Sequence, residues 1–231
     1  MGKIISLVSC KGGLGKSTIA INLAEYLRNN KKEVLLVDAD TLNPSINFYL
    51  GLNELNVYLQ DVLENKAHFS DSIVKTKTGL MVSLSSGNSS KGDFSETLGD
   101  MKNFADYIIV NAPSGMSKHL LDCIDVSDDF LLVTDAEEVS INNSKSILFE
   151  SKKLKKEPLG ILVNKVLKTK NELSDFEISE RLNYPVIFKV PFDKKVKFSH
   201  NLNSSAIITY PKSKFSKKLS EAGLFFLEKY S

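Results

Sequence analysis

Residues 10–18, Cys-Lys-Gly-Gly-Leu-Gly-Lys-Ser-Thr, hold the densest chemistry in the sequence. Glycines let a backbone wrap an anion, N–H groups at a helix start point at it, and the helix dipole adds to the attraction. In such a loop Lys16 reaches the β- and γ-phosphates of a nucleotide, and the Ser17 hydroxyl holds Mg²⁺. This chemistry needs a strand leading in and a helix leading out. Residues 3–9 are short, β-branched and apolar, which reads as a buried strand, and residues 19–27 carry apolar positions at helical spacing. The plain alternative, a glycine-rich turn with a chance lysine, leaves that context unexplained.

Further polar residues stand at the ends of apolar runs. Residues 33–38 read as a second buried strand that ends in Asp38-Ala39-Asp40. A carboxylate at the carboxyl end of a parallel strand faces the crevice where α/β sheets bind ligands, although a lone Asp there is more often a cap or turn residue. Residues 106–115 form a buried run closing in Asn111-Ala112-Pro113-Ser114-Gly115, and residues 160–165 form a strand with Asn164 near its end. An asparagine amide donates and accepts at once, as the edge of adenine requires. Pro191-Phe192-Asp193 follow the last strand, residues 186–190.

The ordinary phosphate-loop pattern has glycine where this chain has Cys10, and a second lysine, Lys11, follows it. Lys11-Gly12-Gly13-Leu14-Gly15-Lys16-Ser17-Thr18 resembles the deviant Walker A loop of the MinD/ParA family of ATPases, and archaeal MinD-like proteins look most similar. The resemblance runs from residue 3 to about residue 229. It implies a P-loop fold, ATP or ADP with Mg²⁺ as ligands, and an ATP-dependent homodimer in which Lys11 reaches the partner's nucleotide. Residues 12–18 then bind phosphate, with Ser17 and Asp40 on the metal side. By the same resemblance Asp40 orients the attacking water, Asn164 reads adenine, and Pro191 and Asp193 line the adenine pocket. Asp38 would support the Mg²⁺ waters or the signature lysine. Residues 107–115 resemble switch II, with Pro113 and Gly115 in place but Asn111 where the family has Asp. An amide keeps the carbonyl acceptor and drops the negative charge, so weaker metal coupling and slow turnover are expected.

What the resemblance implies is an ATP-binding switch that dimerises on ATP and hydrolyses it slowly, for spatial organisation such as division-site placement or partitioning. Two alternatives stand beside it: a nucleotide-dependent scaffold that Asn111 leaves deficient in hydrolysis, and a ParA-like DNA-partition protein. An activating or cargo protein is implied as partner. Membrane surface and DNA are both left open, and cytoplasmic placement, with or without peripheral membrane association, is the expectation.

Length and composition fit one domain over residues 1–231. Apolar residues make up 42% and charged residues 25%, ordinary for a globular protein with a sizeable core. A net charge of +2 does not decide for or against nucleic acid. Cys10 and Cys123 have no metal spacing, so neither an iron–sulfur cluster nor a disulfide framework is expected. Met1-Gly2-Lys3 fits a myristoylation pattern, read as chance because a strand starts immediately after it.

Strands are expected at 4–8, 33–38, 80–84, 107–111, 130–134, 160–165 and 186–190, giving a mostly parallel α/β sheet with helices on both faces. Short helices are expected at 46–50 and 57–63, and longer ones at 116–124, through 154, at 172–182 and at 215–230. Residues 85–92 read as a solvated connector. Lys152, Lys153, Lys155 and Lys156 suit a helix C-terminus, with a DNA- or lipid-facing patch as the sharper reading. The last helix, with Phe215, Leu219, Ala222 and Phe226 on one stripe, is expected to pack on the domain rather than lie at a membrane.

Overall fold

The computed structural model describes residues 2–52, 54–88 and 92–231. Ser89, Ser90 and Lys91, inside the expected connector, lie outside the described residues. In chain order, β1 (Lys3–Ser9) leads to α1 (Lys16–Asn29) and β2 (Val34–Asp38). Short helices α2 (Ile46–Leu50) and α3 (Leu59–Leu63) precede β3 (Ile73–Lys75) and β4 (Met81–Ser83). Helices and strands then alternate: α4 (Phe94–Met101), β5 (Tyr107–Ser114), α5 (Lys118–Val126), β6 (Asp129–Thr134), α6 (Glu138–Lys153), β7 (Gly160–Val166), α7 (Asp175–Leu182) and β8 (Val186–Pro191). The helices α8 (Lys194–Asn201), α9 (Ala206–Thr209) and α10 (Lys214–Lys229) follow.

The strands form one eight-stranded sheet in the order β3-β4-β2-β5-β1-β6-β7-β8. All described pairings are parallel except β3 with β4. Period-two alternation along strands buried on both sides builds two cores. Ile4, Val8, Ile108 and Val110 face α4, α5, α6 and α7, whereas Ile5, Leu7, Ile109 and Leu131 face α1 and α10. The chain leaves β1 toward β2 on one side and later crosses from β5 past β1 to β6 on the other, so the winding reverses at β1 and a crevice opens at its carboxyl end. That crevice is where the phosphate loop sits.

The last helix packs on the domain, as its stripe requires. Phe215, Leu219, Ala222 and Phe226 are buried against the α1 side of the sheet. Gly223 lets α10 approach α1, since a Cβ there would lie 2.1 Å from the Tyr26 ring. The lysines ending α6 are mostly engaged locally: Lys153 pairs with Glu150, Lys152 lies over the Tyr184 ring, and Lys156 donates to the Ser127 carbonyl. Among the described residues no helix is long and apolar enough to cross a membrane.

Several boundaries differ from expectation, each for a local reason. β5 runs on through Ser114, where its register with β1 shifts by one residue, from Leu7↔Asn111 to Ser9↔Ser114. Pro113, which brings no N–H to the ladder, lies in that irregular stretch. Ser117 and Ser174 cap α5 and α7, so these helices start later than their apolar patterns suggest.

Candidate nucleotide site

The loop between β1 and α1 turns through left-handed backbone at Gly13 and Gly15, with φ of 80° and 86°. Side chains rarely adopt this conformation, and at Gly15 there is no room for one either. A Cβ there would lie 2.3 Å from Asn164 Nδ2. Gly15 is also the N-cap of α1 and supplies no side-chain acceptor, and the first turn carries no acidic residue. The helix start is therefore open toward an anion.

Lys16 is the cation placed there. Its side chain is buried, 5% exposed, and its Nζ sits 3.4 Å from the neutral acceptor Asn111 Oδ1. Burial pulls its pKa below the ordinary lysine value, with Asp40 and Asp38 opposing that shift. A desolvated ammonium on a neutral partner gains most from an incoming anion. Ser17 Oγ donates to the same Asn111 oxygen at 3.3 Å and accepts from Ser45 Oγ at 2.7 Å.

Asp38 and Asn111 are register partners on β2 and β5. Asn111 Nδ2 donates to Asp38 Oδ1 at 2.8 Å, so one amide bridges a carboxylate and the Lys16–Ser17 pair. The other Asp38 oxygen accepts from the Ser45 and Ile46 N–H groups, both at 3.1 Å. Burial raises the Asp38 pKa, partly countered by these hydrogen bonds. Asp38 thus holds the segment after β2 in place. Lys11 Nζ lies away from it, 3.6 Å from Glu137 and 4.0 Å from Asp135. Asp40 is 7% exposed, lines the cleft and accepts from the Asn43 N–H at 3.1 Å.

The cleft over the loop has a volume of about 1170 Å³ and is lined by residues 11–18, Asp40, Ser45, Asn164 and the 191–193 turn. Asn164 Nδ2 donates to the Leu14 carbonyl at 2.9 Å, so it braces the loop as well as lining the cleft. Asp193 Oδ1 accepts from the Lys195 N–H and caps α8. Gly115 N–H donates to the Ser9 carbonyl, tying the end of β5 to the loop, while Ser114 lines the cleft. Cys123 is buried in the sheet–α5 core and Cys10 half-buried, with its Sγ 3.4 Å from the Ser140 carbonyl oxygen.

Sequence reasoning missed several contributors. Ser45 touches Ser17, and Lys165 donates to the Gly13 carbonyl at 2.5 Å. Asp135 and Glu137 hold Lys11, while Tyr49, Lys194, Phe198 and His200 extend the cleft wall. Only the lysine after Asn164 had a readable signal, its place at the end of a strand aimed at the loop.

The sequence profile of the ParA family, described as NUBPL iron-transfer P-loop NTPase, matches residues 1–223. The chain belongs to the ParA/MinD family of P-loop NTPases. An uncharacterised ATP-binding protein of Methanocaldococcus jannaschii is 31% identical to this family member over 96% of the chain and 86% of the relative. The crystal structure of the cell division ATPase MinD of Pyrococcus furiosus matches it with a TM-score of 0.92 at 25% identity, covering 100% of both chains. The septum site-determining protein MinD of Pyrococcus horikoshii, solved with Mg-ADP, shares the fold with a TM-score of 0.89 at 23% identity, over 96% and 95% of the two chains. The eight-stranded, mostly parallel sheet of this ParA/MinD-family protein accords with those structures.

Proposed function

We propose that this protein is an ATP-dependent dimerising switch with slow hydrolysis, used to organise a cargo in space. The observation that carries the reading is the open, glycine-capped start of α1 with buried Lys16 directed at Asn111 beside Ser17. This arrangement fits a magnesium–nucleotide: uncapped N–H groups and a desolvated cation suit phosphate, and Ser17, Ser45 and Asp40 present the oxygen donors Mg²⁺ prefers. Bound there, Mg²⁺ offsets charge on the phosphate oxygens.

The chain's own residues do the rest. The loop amides and Lys16 hold the phosphates, and Asp40, fixed by its turn to Asn43, orients the attacking water. Asn164 and the Pro191–Asp193 turn hold the base at the far side of the cleft. Lys11 is 37% exposed and, among the described residues, its ammonium is held by two rim carboxylates, contacts of about 0–1 kcal/mol each, so it is free to swing to a second subunit. A second reading, a scaffold that dimerises without turnover, is favoured by Asn111. Its carbonyl already accepts from Lys16 and Ser17, and it brings no charge to the metal side.

Size-exclusion chromatography with ATP, run beside steady-state hydrolysis, tests both readings. Wild type dimerises on ATP and turns over slowly; Lys11→Ala binds ATP but stays monomeric, and Lys16→Ala does neither. Dimers with turnover no higher than that of Lys16→Ala select the scaffold. Absence of nucleotide binding by wild type refutes both.

A further inference from the structure

We propose that Tyr49 and His200 form a strut coupling the base-side wall of the cleft to the segment that holds Ser17 and Asp38, so that the nucleoside itself orders α2. The proposal rests on the nucleotide reading above and adds two positioning residues to it.

The two rings stack with centroids 4.0 Å apart and planes 19° from parallel, and both line the cleft. Tyr49 belongs to α2. The first residue of that helix, Ile46, donates its N–H to Asp38 Oδ2, and the preceding Ser45 donates to Ser17 Oγ. His200 belongs to α8, which begins at the Asp193 cap, two residues after Pro191. The two helices meet a second time at their ends, where a Cβ on Gly51 would lie 2.7 Å from Asn203 Cγ.

Five residues of helix cannot hold their own geometry in water. The position of α2 is therefore set by what grips it: the core, into which Ile46 and Leu50 are buried, the phosphate side at its start, and α8 along its face and at its end. His200 Nε2 is buried without a hydrogen-bond partner among the described residues, and burial favours the neutral ring by lowering its pKa. The hydrogen bonding of this imidazole therefore does not account for its position; the stack on Tyr49 does. A stacked aromatic pair shifts an equilibrium by about two- to ten-fold, enough to bias a single turn of helix.

Hydrogen exchange of residues 44–52 tests the strut, comparing a non-hydrolysable ATP analogue with tripolyphosphate, each saturating and with Mg²⁺. The two ligands share phosphate chemistry and differ in the nucleoside. In wild type the analogue slows exchange about two- to ten-fold more than tripolyphosphate does. Tyr49→Ala and His200→Ala, which remove the stack from opposite sides, abolish that extra protection. Tyr49→Phe and His200→Phe, which keep two stacked rings, retain it. A purely structural pair would loosen α2 equally with either ligand and leave the difference intact, which overturns the proposal. Equal protection by both ligands in wild type overturns it as well. If calorimetry detects no binding of the analogue to wild type, the nucleotide reading itself fails and the strut falls with it.

Discussion

Asn111→Asp restores the family residue and, in metal-free protein, should be destabilising. The substitution replaces an amide that donates to Asp38 Oδ1 at 2.8 Å with a second carboxylate. Losing a hydrogen bond to a charged acceptor costs about 1.5–3 kcal/mol. Two carboxylates about 4 Å apart repel by about 4 kcal/mol at an effective dielectric of 20. The pair avoids most of that repulsion by sharing a proton, and Lys16, at 3.4 Å from the other side of residue 111, offsets part of the remainder. A net loss of about 3 kcal/mol remains, or roughly 6–12 °C in melting temperature for a chain of this length. The pH dependence has a definite sign. Burial already raises the folded-state pKa of Asp38, and a second carboxylate raises it further. A carboxyl group raised on folding costs nothing below its unfolded pKa of about 4, and the cost grows as pH rises toward the folded value. Melting curves for both proteins from about pH 4.5 to pH 8.5, with and without millimolar Mg²⁺, should diverge with rising pH and reconverge when metal is added. A variant that melts within about 2 °C of wild type at the alkaline end without metal would refute the bridging role of the amide.

Lys16→Met removes a desolvated charge, so ligand-free stability should stay within about 1 kcal/mol of wild type while nucleotide affinity falls at least about 100-fold; paired melts and titration calorimetry check both. Gly15→Ala forces a side chain into left-handed backbone and against Asn164, at a cost of about 2–4 kcal/mol, with loss of nucleotide binding. Gly223→Ala serves as the contrast. It presses into the Tyr26 ring and should cost about 1–3 kcal/mol by denaturant unfolding, yet leave nucleotide affinity unchanged in the fraction that remains folded.

The fold was readable wherever one element carried its own signal. The central strands are long apolar runs, and the stripe Phe215-Leu219-Ala222-Phe226 marked the face that α10 buries. Missed elements had weak or unused signals. Ile73-Val74-Lys75 is too short to show alternation, and it is a strand only because it pairs antiparallel with β4. Helix α4 carries Phe94, Leu98 and Met101 at helical spacing after the capping residue Asp93, a pattern only eight residues long beside a polar connector. In the site, Lys16 and Ser17 were legible because the motif is contiguous. Ser45 and the Tyr49–His200 pair were not, because they come together only when β2 and α8 reach the same end of the sheet. Asp38 shows the limit most clearly: its bonds to residues 45, 46 and 111 join β2, β5 and the start of α2, a set of partners that no local pattern in the sequence marks.

The central place of β1 also sets a timetable for synthesis. Ile4 lies opposite Ile108, and Leu7 opposite Leu131, so β1 waits for more than a hundred residues before either flank is covered. Until then the backbone that leads into the phosphate loop is an unpaired apolar edge, the kind of surface that recruits wrong partners. Nucleotide cannot rescue such an intermediate, because the residue that meets Lys16 and Ser17, Asn111, arrives with β5. The feature that places the loop at the middle of the sheet therefore makes the nascent chain dependent on protection around β1, and truncations ending before β5 should aggregate while carrying every residue of the loop.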